Sequence, residues 1–224
     1  MKYLFLPLFI CPFLFSCTSV PVEYLEQDNI CNYKESIFHV SKDELKIDLN
    51  ILKQRKNSDI TITDSKVYKN RYSTLSSGNI INYQTDKRTN IGKWLTYRSN
   101  GTIKTSEIYH LEKTVKIFKE THYDKEGNVT KVIDYEKGYN ICWAEAIEIV
   151  KKIAKRDIEK YGITEFYVNH TNLNKQPDVK PIWFVSLKGD EDFKNKTVKH
   201  YQIDGVTGKL LKTIKVKKGY GYLY

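Results

Sequence analysis

The sequence predicts an α+β protein: an antiparallel β meander, followed by a helix packed on a second antiparallel sheet. Three observations predict it. A unit of aromatic strand, Gly-containing turn and Val/Ile/Thr-rich strand recurs with a period of 26 residues, Tyr97 being matched by Tyr123 and Gly101 by Gly127. Self-similarity at a fixed period marks a stacked supersecondary unit. From Trp143, the residues Ile147, Val150, Ala154, Ile158 and Tyr161 recur at spacings of 4, 3, 4, 4 and 3, the stripe of one amphipathic helix. The β-rich stretches beyond it end in a hairpin whose turn, Asp204-Gly205-Val206-Thr207-Gly208, holds two glycines able to take positive φ.

The first element stands apart from this fold. The 224 residues are 40% hydrophobic and 29% charged, with 37 basic against 27 acidic side chains, which describes one globular domain or two small ones and not a multi-span membrane protein. Residues 1–16 nevertheless carry a single charge, Lys2. Leu4 to Phe15 is an apolar run of about twelve residues, too short for a bilayer that needs roughly 20 residues of helix, and it reads as the h-region of a signal peptide. It ends in Leu14-Phe15-Ser16-Cys17, which resembles the lipobox of bacterial lipoproteins, although Phe15 is bulkier than the usual occupant. The resemblance implies cleavage before Cys17 and acylation of its thiol; two or more acyl chains anchor stably at about 0.8 kcal/mol per buried methylene. The expectation is a bacterial envelope protein, lipid-anchored and facing the periplasm or the surface. Thr18 is not the aspartate that retains lipoproteins in the inner membrane, which favours the outer one.

Removal of 1–16 takes Cys11 away and acylation caps Cys17. Cys31 and Cys142 then remain, and in an oxidising compartment they are candidates for a disulfide; the alternative is two buried, unpaired thiols. Residues 17–30 contain Ser19, Pro21, Glu23, Glu26 and Asp28 and read as a tether.

The region 31–138 opens with a helix. Ser41-Lys42-Asp43-Glu44 has the form of a capping box, Val40 and Leu45 a hydrophobic staple, and Leu45, Leu49 and Leu52 continue at helical spacing until Arg55 to Asn57. Short strands follow at Ile60-Thr61-Ile62-Thr63, Val67-Tyr68 and Ile80 to Tyr83, with a turn at Gly78-Asn79. The repeat occupies about 89–138, and Tyr97 and Tyr123 are expected to pack their rings and leave their hydroxyls wet. Its first copy, Gly92-Lys93-Trp94-Leu95-Thr96-Tyr97-Arg98-Ser99-Asn100-Gly101, resembles the MORN-variant repeats of exported bacterial proteins; the second lacks the leading Gly-Lys-Trp. The resemblance implies meandering antiparallel hairpins, an antitoxin-like label and a β surface for contacts, with no catalytic residue.

The region 139–218 forms the second module. Asn140 is the expected helix cap and Gly162 its C-terminal stop. Strands are expected at Glu165 to His170, Ile182 to Leu187, Val198 to Ile203 and Leu210 to Val216, burying Trp143 and Trp183. Ala144 and Ala146 on the helix, Trp183-Phe184-Val185, and Ile203-Asp204-Gly205-Val206-Thr207-Gly208-Lys209 resemble the PepSY domain shared with peptidase propeptides. That resemblance implies binding or inhibition of peptidases and no active site.

Chemistry is otherwise sparse. His39, His110, His122, His170 and His200 show no ligand spacing and there is no Cys-x-x-Cys, so no metal or other cofactor is expected. The acidic run 189–192 offers oxygens to calcium but lacks the other spaced ligands and reads as a solvated turn. No cysteine or serine sits in a nucleophile setting, and Gly219 and Gly221 have no helix after them to bind phosphate; the chain is not expected to be an enzyme. Positive charge collects at Lys209, Lys212, Lys215, Lys217 and Lys218, interleaved downstream with Tyr220, Tyr222 and Tyr224 of the tail 219–224. For a lipoprotein this points to an anionic envelope component or an acidic protein and not to nucleic acid, the plainer reading being a strand edge protected by lysines. The functional expectation is a non-catalytic binding module for an envelope protein or anionic glycolipid. A peptidase inhibitor, or an immunity or antitoxin-like factor, are the alternatives.

Overall fold

The structure, a computed structural model, describes residues 31, 33–53, 59–111, 115–188 and 197–217. The signal segment, Cys17 and the whole tether, the acidic run 189–192, Lys218 and the tail lie outside the described residues. Seven strands, β1 (Asp59–Asp64), β2 (Tyr68–Thr74), β3 (Ile80–Asp86), β4 (Ile91–Tyr97), β5 (Ile103–His110), β6 (Val115–Tyr123) and β7 (Val129–Asp134), pair antiparallel in chain order. Helices α2 (Trp143–Ile153) and α3 (Lys155–Tyr161) precede β8 (Glu165–His170), β9 (Ile182–Lys188), β10 (Thr197–Asp204) and β11 (Leu210–Lys217), which form a second antiparallel sheet in the order β11-β10-β9-β8. The fold is α+β. No helix among the described residues is long and apolar enough to cross a membrane.

The hairpin unit occurs three times. Gly78, Gly101 and Gly127 have φ of 80°, 84° and 92°, and each turn is closed alike, by Leu75 N–H to Asn79 O, Arg98 N–H to Thr102 O and Asp124 N–H to Asn128 O at 2.8, 2.8 and 2.9 Å. The register shifts by one residue at Tyr97 and again at Tyr123, as a bulge with left-handed glycine requires. Arg98 joins successive copies: its guanidinium donates to Tyr123 O at 2.7 Å and to Asp124 O at 2.9 Å. The Tyr97 hydroxyl is not wet. The side chain is 1% exposed, and burial pushes its pKa well above the ordinary value.

The repeat's Gly-Lys-Trp is divided between the two faces of β4. On one face Tyr83, Trp94 and Tyr109 pack together, with ring centroids 5.0 and 4.1 Å apart, and Arg71 lies over Tyr83. Gly92 leaves room there, because a Cβ would come within 2.5 Å of Leu111 Cδ2 and 3.3 Å of Trp94 Nε1. On the other face Lys93 points into a layer formed by the N-terminal segment.

That segment is not one helix. It forms a 3-10 turn at Lys42–Leu45, started by Ser41 N–H donating to Glu44 Oε2 at 2.8 Å, and the four-residue α1 (Asn50–Lys53). Between them Lys46 bridges to Thr102, and Ile47 N–H donates to Gly101 O at 3.0 Å. Ile47 is thereby buried with Ile80, Leu95, Tyr97 and Ile103. Pairing with the sheet overrides the helical spacing of Leu45, Leu49 and Leu52.

The second module differs from expectation in three details. Cys142, not Asn140, caps α2: its N–H donates to Glu145 Oε2 at 2.7 Å and its sulfur accepts from Glu145 N–H. Asn140 instead donates its N–H to Gly205 O at 2.9 Å. The expected continuous helix is interrupted at Ala154, and α3 then presents Asp157 to Lys199 and Tyr201 of β10. Gly205 does not have positive φ, unlike Gly208. Its value is space, since a Cβ would meet the Tyr139 ring at 2.4 Å. α2 buries Trp143, Ala144, Ala146, Ile147, Ile149 and Val150 against β9 and β8. Trp183 is fully buried, with Nε1 donating to Ile141 O at 2.7 Å. Ile91, Ile108 and Ile117 of the meander join the same core, so the two sheets share their main apolar interior.

Candidate functional site: the cleft between the sheets

Of the residues singled out in the sequence, Cys31 and Cys142 are joined by a disulfide, with Cα atoms 6.4 Å apart and a sequence separation of 111. Glu145 is close enough to make this a formal three-ligand cluster, but the sulfurs are bonded to each other and the carboxylate caps α2, which leaves no ligand set for a metal. Lys209, Lys212 and Lys215 are exposed at or on β11, the last strand of its sheet. They do not converge: Lys212 pairs with Gln202 and Lys215 with Lys199, positions on opposite faces of β10. Lys217 pairs with Thr197 at the end of the ladder. The histidines stay scattered, though His110 and His200 are buried strand residues, 3% and 6% exposed.

A cleft of about 500 Å³ opens where the two sheets meet. The turn between β3 and β4 forms one lip. Asp86 shapes it, accepting from Arg88 N–H at 2.9 Å and from its guanidinium at 2.6 and 3.1 Å, and Asn90 turns the chain with φ 61°. The first turns of α2, from Trp143 to Lys151, and residues 164–166 form the other lip. His110, at the end of β5, lies at the floor on the core face, opposite Ile91 in register.

His110 and Trp143 pack with ring centroids 5.4 Å apart, and both line the cleft. Among the described residues neither His110 Nδ1 nor Trp143 Nε1 meets a hydrogen-bond partner, although buried polar atoms are nearly always satisfied. Burial pushes His110 down to about 4, so the imidazole is neutral at neutral pH. The rim charges are engaged with one another: Lys87 with Asp64 at 2.6 Å, Arg88 with Asp86, and Lys151 with Glu148. Apolar wall comes from Ala144, Ile147 and Phe166. The arrangement can hold a small molecule or side chain, but it presents no nucleophile paired to a base. The sequence shows Trp143 only as a helix-face residue and His110 as an isolated histidine; register and helix docking bring them together.

A smaller groove of about 320 Å³ lies between Phe38, Val40 and the β6–β7 hairpin, with Val129 and Val132 exposed along it. Beside it sits Glu136, which accepts from Tyr33 OH and from Phe118 N–H at 3.0 Å. Burial raises its carboxyl to about 7; those two hydrogen bonds act the other way, and the carboxylates of Asp134 and Glu145 add to the rise.

Glu136 and His110 make opposite contributions to stability against pH. Native Glu136 keeps a proton that the unfolded chain has lost above its ordinary 4.5, so its contribution is present below 4.5 and gone once pH passes about 7. His110 is neutral in the fold where the unfolded chain is protonated, so its contribution is present above 6.5 and lost as pH falls to about 4. Each is worth up to about 3 kcal/mol at 1.36 kcal/mol per pKa unit. The wild-type profile is therefore expected to be nearly flat from pH 4.5 to 6.5. In Glu136→Gln, stability should rise by about 3 kcal/mol across that range as His110 is unmasked. Urea unfolding at successive pH values reads this, and a flat profile in the variant contradicts it.

No family model, no curated protein and no solved structure matches this chain.

Proposed function

We propose that the chain is a lipid-anchored, non-catalytic binding protein of the bacterial envelope, built from MORN-variant-like hairpins and a PepSY-like module, and that it meets its ligand or partner in the cleft between the two sheets. The observation that carries the reading is the pair of buried ring nitrogens, His110 Nδ1 and Trp143 Nε1, left without partners on residues lining an open cleft. Concave sites with an apolar wall and a few convergent polar groups are where proteins bind small molecules and side chains. Export is supported by the apolar start ending in Leu14-Phe15-Ser16-Cys17 and by a disulfide between the two cysteines that processing would leave as thiols. Thr18 after the lipobox cysteine favours the outer membrane. Peptidase inhibition is the second reading, favoured by the edge strand β11, which exposes Leu210 and Leu211 at 40% and 47% beside its lysines; added strands are a common mode of peptide docking.

Two measurements test the reading. Cys17→Ala is expected to abolish incorporation of labelled palmitate, and retained label would refute the anchor. A photo-crosslinking residue in place of Thr89, on the exposed lip of the cleft, is expected to give a light-dependent adduct in whole envelopes. The adduct should disappear when Ala144→Phe fills the cleft; an adduct indifferent to that filling argues against the cleft as the site.

A further inference from the structure

We infer that the cleft between the sheets takes a small organic acid with an apolar body, its carboxylate accepting hydrogen bonds from Trp143 Nε1 and His110 against the wall of Ile147 and Phe166. The inference rests on the cleft being the binding site and adds the chemical class of what enters it.

The head group follows from the two rings. An indole N–H is a donor and nothing else, and a neutral imidazole offers one N–H of its own. Trp143 is 7% exposed and His110 3%, so neither nitrogen is served by bulk water, and a buried donor without an acceptor carries its full desolvation cost. A ligand that relieves this cost must bring acceptors. A carboxylate brings two oxygens on one carbon, suited to two adjacent rings 5.4 Å apart, and hydrogen bonds to a charged acceptor are the stronger kind. An ammonium brings donors only and would leave the indole N–H of Trp143 unsatisfied whichever tautomer His110 adopts.

Charge and shape narrow the class. Lys87, Arg88 and Lys151 outnumber Glu148 and Glu165 among the lining residues, so the cleft carries a slight positive excess. Each of the three cations already has a carboxylate partner. A multiply charged phosphate would have to break those pairs, whereas a single carboxylate needs only the ring donors. The volume of about 500 Å³ lies within the range of small-ligand sites.

The test uses the full acylated chain in detergent micelles with ¹⁵N-labelled indoles. The chain has three tryptophans, so three indole resonances are expected. Trp143→Phe identifies one by its loss, and Trp183, bonded to Ile141 O, serves as an internal reference. Phenylacetate, phenylacetamide and phenethylamine share one apolar body and differ in the head group. The expected result is that phenylacetate shifts the Trp143 resonance in a saturable way, the amide shifts it more weakly and the amine leaves it in place, with Trp183 unmoved throughout. His110→Leu should weaken phenylacetate roughly tenfold, which is about 1.4 kcal/mol, while leaving the Trp183 resonance in its folded position. An amine that shifts Trp143 as strongly as the acid, or an acid that never shifts it, overturns the assignment. In the second case a surviving cleft-dependent adduct at Thr89 would leave the binding reading standing with a different ligand, and its absence would remove both.

Discussion

Cys31→Ser is expected to lower stability by about 4 to 5 kcal/mol, the loop-closure entropy that the chain-entropy model assigns to a crosslink closing roughly a hundred residues. The bridge spans 111 residues and includes the whole meander, so no local hairpin substitutes for it in the unfolded chain. Cys142→Ser should lose the same amount, although it also alters a helix cap, because serine accepts from the N3 amide at least as well as sulfur does. Agreement between the two variants therefore assigns the loss to the crosslink and not to the cap. Urea unfolding of both, beside wild type with and without reductant, provides the measurement. Reduced wild type should unfold with the serine variants, and a loss within about 0.5 kcal/mol, the size of a surface-substitution effect, would show that the bridge is not a structural staple.

The bridge also fixes the least legible part of the chain. Where local chemistry dictated geometry, the sequence could be read: the Gly-containing turns at Gly101 and Gly127, the stop at Gly162 with φ 58°, and strands β8 to β11, whose ends agree within about one residue. Where a distant backbone group competed, it could not. Leu45, Leu49 and Leu52 have helical spacing, yet Ile47 lies in extended chain because Gly101 O accepts its N–H. The hairpin at Gly78 is not legible as a third copy because Thr74 occupies the place that tyrosine holds four residues before Gly101 and Gly127. Gly205 was legible as a turn glycine but not for its purpose, since the Tyr139 ring it accommodates comes from another part of the chain. The cleft is the extreme case. His110 and Trp143 lie on different elements, and neither carries a local signal of the other; only the register of β5 and the docking of α2 bring them within 5.4 Å.

Lys93→Met should destabilise the fold by about 3 kcal/mol or more at neutral pH, the range for breaking a buried ion pair from one side. Lys93 is 3% exposed, and its ammonium donates to Glu44 Oε1 and Oε2 at 2.8 and 3.0 Å, to His39 O at 2.9 Å and to Ser36 O at 3.3 Å. It is thus the pin between the meander and the segment covering it, and Gln84 and Asn82 extend the same network below it. Burial by itself pushes the Glu44 carboxyl up, but hydrogen bonds from Lys93, Ser41 N–H and Gln84 hold it below the usual carboxylate range. A carboxyl depressed in the fold stabilises above its ordinary pKa and loses that contribution as pH falls through the folded value. Methionine keeps most of the lysine's apolar stem, so the loss reports the stranded carboxylate and the carbonyls more than a cavity. Two consequences separate this account from simple loss of packing. The penalty should shrink in acid, where Glu44 becomes neutral and no longer needs a cation. The double variant Lys93→Met, Glu44→Gln should be more stable than Lys93→Met alone, because a neutral amide in place of the stranded charge removes most of the desolvation cost. Denaturant midpoints for the single and double variants at pH 7 and pH 4 measure both. A penalty that is independent of pH and additive between the two sites would mean that Lys93 acts by filling space rather than by charge.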